Sequence, residues 1–170
     1  MLEGFAPIAG PDARILLLGT MPSVASLKKM EYYGHPRNAF WPLLYGLWGK
    51  VPDKEYDRRV AFVREKRIAL WDVLRCCERE GSADASIRRE EANDFAALAK
   101  SYTEIGCIFF NSSGASFFYK RLVNPDPFAG LHRTVLPSSS PARAMRFEDK
   151  LALWRPVRDA WDSLCGPTKL

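Results

Sequence analysis

Metal-ligating residues are scarce in this 170-residue chain. It has two histidines and four cysteines, and Cys76, Cys77, Cys107 and Cys165 show no C-x-x-C pairing. That spacing argues against a zinc or iron–sulfur site, so no metal is expected, and the cysteines are expected as free thiols in a cytoplasmic setting. No apolar run approaches the roughly 20 residues needed to span a bilayer, so no membrane partner is expected. Residues 1–5 lack the charged and apolar regions of a signal peptide. The chain also lacks the Gly-x-Gly-x-x-Gly of a dinucleotide fold and the Gly-Lys-Ser/Thr of a P-loop. Acidic residues are outnumbered, 20 against 25 Lys and Arg, which leaves a net charge of +5. That balance suits a polyanionic partner without establishing one.

The chain does have enough apolar residues for a core, at 47% hydrophobic, which fits one globular domain over residues 1–170. Four short apolar runs read as strands: Arg14-Ile15-Leu16-Leu17-Leu18, Ile68-Ala69-Leu70-Trp71, residues 105–110 and Arg133-Thr134-Val135-Leu136. Helical patterns are expected over 40–47, 53–66, 89–101, 113–122 and about 145–164, with residues 80–86 as a polar loop. Strands alternating with helices imply an α/β fold with a central four-stranded, mostly parallel sheet and helices on both faces. Each strand candidate ends in small or polar residues: Gly19-Thr20, Asp72, Asn111 and Pro137-Ser138. Ligands bind beyond the carboxyl ends of such strands, so these residues are expected to share one site.

The densest stretch is Tyr32-Tyr33-Gly34-His35-Pro36-Arg37-Asn38-Ala39-Phe40-Trp41. Its Gly and Pro break regular structure and predict a loop feeding a helix. Aromatic faces beside hydrogen-bonding groups suit a flat, polar ring. Phe40 and Trp41 are assigned to the core, Tyr33 to stacking on a base, and His35 and Arg37 to phosphate. Asn38 fits two roles equally, a helix cap or a group that holds a water or a polar base edge. Asp72 likewise either caps the segment that follows or accepts a ring N–H, and Asn111 carries the same ambiguity ahead of the helix near Ser113. Gly19-Thr20-Met21-Pro22-Ser23 reads locally as a plain strand-to-loop turn, in which Ser23 and backbone N–H groups can meet an anion. In Pro137-Ser138-Ser139-Ser140-Pro141-Ala142-Arg143, the hydroxyls of Ser138, Ser139 and Ser140 and the Arg143 cation suit phosphate contact, although Ser/Pro loops are common. His132 reads as a surface or boundary residue.

Taken in order, Leu18-Gly19-Thr20-Met21-Pro22-Ser23, the 32–41 stretch, Trp71-Asp72-Val73-Leu74, Phe109-Phe110-Asn111 and Leu136-Pro137-Ser138-Ser139-Ser140-Pro141-Ala142 resemble the uracil-DNA glycosylase superfamily, above all its hypoxanthine-DNA (deoxyinosine) glycosylase branch. The resemblance implies a monofunctional, cofactor-free enzyme that flips a deaminated base (hypoxanthine, uracil or xanthine) out of double-stranded DNA and hydrolyses its glycosidic bond. A monomer is expected. Mismatch-specific uracil relatives carry a water-positioning Asn where this chain has Met21, so the catalytic role passes to Asn38, which matches an Asn of the hypoxanthine branch. Met21, Tyr33, Asp72 and Asn111 are then expected around the base, with Tyr33 at the position of the aromatic that stacks on it. Many relatives have Asn after Ser-Pro-Ala where this chain has Arg143. Two other readings use the same scaffold: a lesion-binding domain without catalysis, and a hydrolase of small nucleosides.

Overall fold

The structure is a computed structural model, and it describes residues 1–167; the last three positions of the expected 1–170 domain lie outside that range. The four apolar runs form one parallel sheet of β2 (Ile15–Gly19), β3 (Ile68–Asp72), β6 (Cys107–Phe110) and β7 (His132–Val135), in the order β3-β2-β6-β7. Every residue of β2, β3 and β6 is buried, the first and last as central strands covered on both faces and β3, at the edge, with Ile8 bonded to Leu70 along its outer side. Leu16, Leu17 and Leu18 are fully buried, each contributing about 2 kcal/mol of apolar transfer energy. The chain leaves β2 toward β3 on one side and reaches β6 on the other. Strand order therefore reverses at β2, and in such sheets the place for a ligand is beyond the carboxyl ends of the strands at that point.

Helices α1 (Val24–Lys29), α2 (Phe40–Gly46) and α3 (Tyr56–Glu65) fill the connection from β2 to β3, α5 (Ser113–Leu122) joins β6 to β7, and α6 (Phe147–Cys165) ends the described chain. Phe40 and Trp41 lie in the core at 0% and 3% exposure. Phe40 packs edge-on against the buried Trp154 of α6, with 5.9 Å between ring centroids.

The segment after β3 departs from expectation. Leu74–Glu78 is a strand, β4, and it pairs antiparallel with β1 (Leu2–Glu3) and with β5 (Arg88–Ala92). The helix expected over 89–101 is therefore cut to α4 (Phe95–Ser101), behind an Asp94 cap whose carboxylate accepts the Ala97 N–H. The sequence Arg-Arg-Glu-Glu-Ala carries no apolar alternation, because none of β5 is fully buried. Its pairing comes from the β4 ladder, with the cross-strand ion pairs Arg75–Glu91 and Arg89–Glu78 on the exposed side. Helix α1 is also unanticipated; Ser23 caps it by accepting the Ser26 N–H at 3.1 Å. His132 is the first residue of β7 rather than a position just before it.

Candidate active site

The carboxyl ends of β2, β3 and β6 deliver Gly19, Asp72 and Asn111 side by side. Gly19 and Asp72 are register partners in the parallel ladder, and the Asn111 N–H bonds the Leu18 carbonyl at 2.8 Å. Beyond them, the Val73 N–H donates to Gly19 O and the Leu74 N–H to Thr20 O. The chain after Asp72 thus runs on extended into β4, and the Asp72 side chain caps nothing. Its carboxyl is 4% exposed, and Oδ2 has no hydrogen-bond partner among the described residues.

Tyr33 reaches the same point from the 32–41 loop. Its backbone is left-handed, with φ at 53°, a conformation that costs a non-glycine residue about 1 kcal/mol and is often kept where geometry serves function. The ring stacks on Phe40 at 3.8 Å with an 11° interplanar angle, and the buried hydroxyl has no partner among the described residues. A Cβ on Gly19 would overlap Asp72 Oδ1 and lie 2.8 Å from the Tyr33 hydroxyl. Only glycine at 19 leaves room for both side chains. Burial, then the Asp72 charge, raises the Tyr33 phenol well above its ordinary pKa, while the Asn111 amide opposes this. Tyr33 is therefore a neutral donor throughout the physiological range.

Burial also pushes the Asp72 carboxyl up to about 7, with the Asp84 charge adding to the rise and Arg79 opposing it. Asp84 was not among the residues singled out in the sequence. It sits in a 3-10 turn (Asp84–Ser86) within the stretch read as a polar loop, and its Oδ2 accepts the Thr20 hydroxyl at 2.8 Å. Its own carboxyl is raised, mainly by burial. No local sequence signal marks it, because its seat is made by distant residues.

Asn111 is 5% exposed and locked to the serine loop in both directions. Its Nδ2 donates to Ser139 Oγ at 2.8 Å, and its Oδ1 accepts the Ser139 N–H at 2.9 Å. The cap of α5 is Ser112, so Asn111 is released from that role. Ser139 is 1% exposed. Its hydroxyl serves Asn111, and the expected phosphate contact is corrected to a positioning role. The Oγ atoms of Ser138 and Ser140 accept the Ser140 and Ala142 N–H groups, shaping the loop from within. Ser23 has the cap role already described. Met21 is 8% exposed, and its sulfur packs toward Gly4 beside β1.

Asn38 is half-buried just ahead of α2. Its Oδ1 accepts the Phe40 N–H at 2.9 Å, which satisfies a free donor at the start of α2. A carbonyl oxygen has a second lone pair and the amide two N–H donors, so this bond fixes the amide's orientation without exhausting it. Ala39 N–H bonds the Ser139 carbonyl at 3.0 Å, joining the aromatic loop to the serine loop. The exposed Arg37 and Arg143 project from these joined loops. Next to Arg37, the His35 Nδ1 accepts the Arg37 N–H at 3.1 Å. Lys150, 4% exposed, donates to the Arg143 carbonyl at 2.8 Å and so ties α6 to the serine loop.

Among the described residues, no three His, Cys, Asp or Glu side chains are grouped as metal ligands, and no helix is long and apolar enough to cross a membrane.

The ends of these strands thus gather an aromatic ring, a buried acid and an amide, with the exposed Arg37 and Arg143 on the joined loops. The sequence model of the Uracil DNA glycosylase superfamily matches residues 7–165, and the chain belongs to that superfamily. It is 34% identical over 156 residues to the hypoxanthine DNA glycosylase of Methanosarcina acetivorans, covering 91% of this chain and 96% of the relative. It is 32% identical over 153 residues to that of Methanosarcina barkeri, covering 89% and 94%. A solution NMR structure of a candidate uracil DNA glycosylase from Methanosarcina acetivorans superimposes with a TM-score of 0.75 at 35% identity. That match covers 91% of this chain and 97% of the other.

Proposed function

We propose that this DNA glycosylase removes deaminated bases from double-stranded DNA, hypoxanthine first and uracil or xanthine second, by hydrolysing the N-glycosidic bond of a flipped nucleotide. The observation that carries the reading is the convergence on Gly19 of the Tyr33 hydroxyl and the Asp72 carboxyl, whose Oδ2 has no hydrogen-bond partner among the described residues, beside the Asn111 amide. Buried polar atoms normally find partners, and a deaminated base supplies them. Its lactam edge offers an N–H and a carbonyl oxygen to Asp72 and Asn111.

Phe40 covers one face of Tyr33, and the opposite face carries the base. Flipping costs a few kcal/mol, less at a mismatched pair, which favours lesions. Departure of the base leaves an oxocarbenium-like sugar. Asn38, oriented by the Phe40 N–H, positions the water that adds to it. Arg37 and Arg143 hold the DNA backbone on the outer loops, with the half-buried His35 beside Arg37.

Duplexes carrying inosine, uracil, xanthine or undamaged adenine at one position, incubated with the protein and then treated with alkali, test the reading. Strand cleavage at inosine, less at uracil and xanthine and none at adenine is the expected pattern. Binding to lesion DNA with no abasic sites would replace the enzyme by a lesion-binding domain, and activity on free nucleosides alone would make it a small-molecule hydrolase.

A further inference from the structure

Residues 79–86 form a strap over the turn that follows β2. Arg79 donates to the Pro22 carbonyl at 2.5 Å and to the Gly81 carbonyl at 2.9 Å, and the Ser82 hydroxyl accepts the Val24 N–H at 3.0 Å. The strap brings Asp84 down beside the Thr20 hydroxyl. On the other side Asp84 lies against Gly114, in the first turn of α5, where any Cβ would overlap its Oδ2. Residues from β4–β5, the β2 turn and α5 thus cooperate to seat one carboxylate. Gly19, the neighbour of Thr20, packs against Asp72, more than nine-tenths buried, whose Oδ2 has no hydrogen-bond partner among the described residues.

Resting on the base-release reading, we infer that Asp84 is a positioning residue whose carboxylate, seated by Thr20 and Gly114, sets the Asp72 carboxyl as the proton donor to the leaving base. Two carboxyl groups in one buried site disfavour double ionisation. Asp84 has the Thr20 hydroxyl to hold its charge, whereas Asp72 Oδ2 has no such donor among the described residues. The proton therefore belongs on Asp72.

A neutral Asp72 offers both halves of a match to a lactam. Its carbonyl oxygen accepts the ring N–H, and its O–H donates to the ring carbonyl, whose second lone pair is left for the Asn111 amide. When the sugar–base bond breaks, its electron pair stays with the base and charge accumulates on that carbonyl oxygen. The Asp72 proton transfers there and the base leaves neutral. The water oxygen bonds the sugar carbon, and the proton it sheds restores Asp72, so the net change is addition of one water across the cleaved bond.

The groups facing Asp72 are Asp84 and Arg79 from the strap and Tyr32 and Tyr33 from the aromatic loop. Burial raises Asp72 first, and Asp84 adds to it. Removing the Asp84 charge is expected to lower the Asp72 midpoint by about one pH unit without returning it to an ordinary aspartate value.

The test is a carbon-detected NMR titration of the Asp72 carboxyl in the wild type, Asp84→Asn and Thr20→Val, paired with single-turnover pH profiles on an inosine duplex. The wild-type midpoint is expected near pH 7, with the rate falling about tenfold per unit above it. Asp84→Asn moves both the midpoint and the falling limb to lower pH. Thr20→Val strips Asp84 of the hydroxyl that holds its charge and moves Asp72 the same way, which covers a failure of the first variant to fold. An Asp72 midpoint in the ordinary range, a midpoint unmoved in the variants, or a rate lost equally at every pH overturns the inference. The NMR arm needs no substrate: an Asp72 midpoint near pH 7 that moves down in both variants, without base release from any duplex, removes the glycosylase reading, and the donor role with it, but not the coupling of the two acids.

Discussion

Replacing Asp72 by asparagine keeps the shape of the side chain and removes its titration. An ordinary aspartate ionises near 3.8, whereas burial holds Asp72 protonated to about pH 7 in the folded protein. Below about pH 3 the group is largely protonated in folded and unfolded chains alike. As pH rises, the unfolded chain loses this proton first, so the folded state binds more protons and stability falls. The loss is complete above pH 7. The interval is about 3 pH units, and at 1.36 kcal/mol per unit it amounts to about 4 kcal/mol. Roughly 3 kcal/mol of that falls between pH 5 and pH 8. With a urea m-value of about 2 kcal/mol/M, the midpoint of Asp72→Asn should rise relative to wild type by about 1.5 M between those two pH values. Urea unfolding of both proteins at pH 5 and pH 8 measures this directly, and other titrating groups largely cancel in the comparison. Unfolding midpoints that keep a constant separation would show that Asp72 titrates like an exposed acid, and the argument from its burial would fail.

Other changes probe the rest of the site. Asn38→Ala should slow single-turnover base release by about a hundred- to a thousandfold, the usual loss of one well-placed polar group, with duplex affinity little changed; near-normal turnover would leave Asn38 only its bond to the Phe40 N–H. Gly19→Ala should force Asp72 and Tyr33 apart, read as loss of base release in a protein that keeps its far-UV circular dichroism; retained activity would mean the pocket absorbs a methyl group. Arg143→Ala should weaken DNA binding and lower the log–log salt slope by about 0.9, whereas an unchanged slope would place Arg143 off the phosphates.

The parallel sheet was legible because its strands are short, unbroken apolar runs, such as Ile15 to Leu18, closed by Gly19. Asp72 and Asn111 could be placed at strand ends for the same reason. The antiparallel sheet was not legible. Its β5 is Arg-Arg-Glu-Glu-Ala, whose pairing depends on β4 rather than on any hydrophobic alternation. The Ser139 hydroxyl looked like a phosphate ligand because sequence cannot show that Asn111 claims it from 28 residues away. Asp84 was hidden in the same way, since Thr20 and Gly114 make its seat and both are distant in the chain. For Asn38, sequence left cap and catalysis as rivals. The structure shows one lone pair used by the Phe40 N–H, which makes the two roles compatible.

On this account the residues gathered at the ends of β2, β3 and β6 release a deaminated base from DNA. Chromatographic quantitation of free base from an inosine duplex, alongside the abasic sites formed in the same sample, tests it most directly. Free hypoxanthine appearing one-for-one with abasic sites is the predicted result. Tight binding to the duplex with no free base would contradict it.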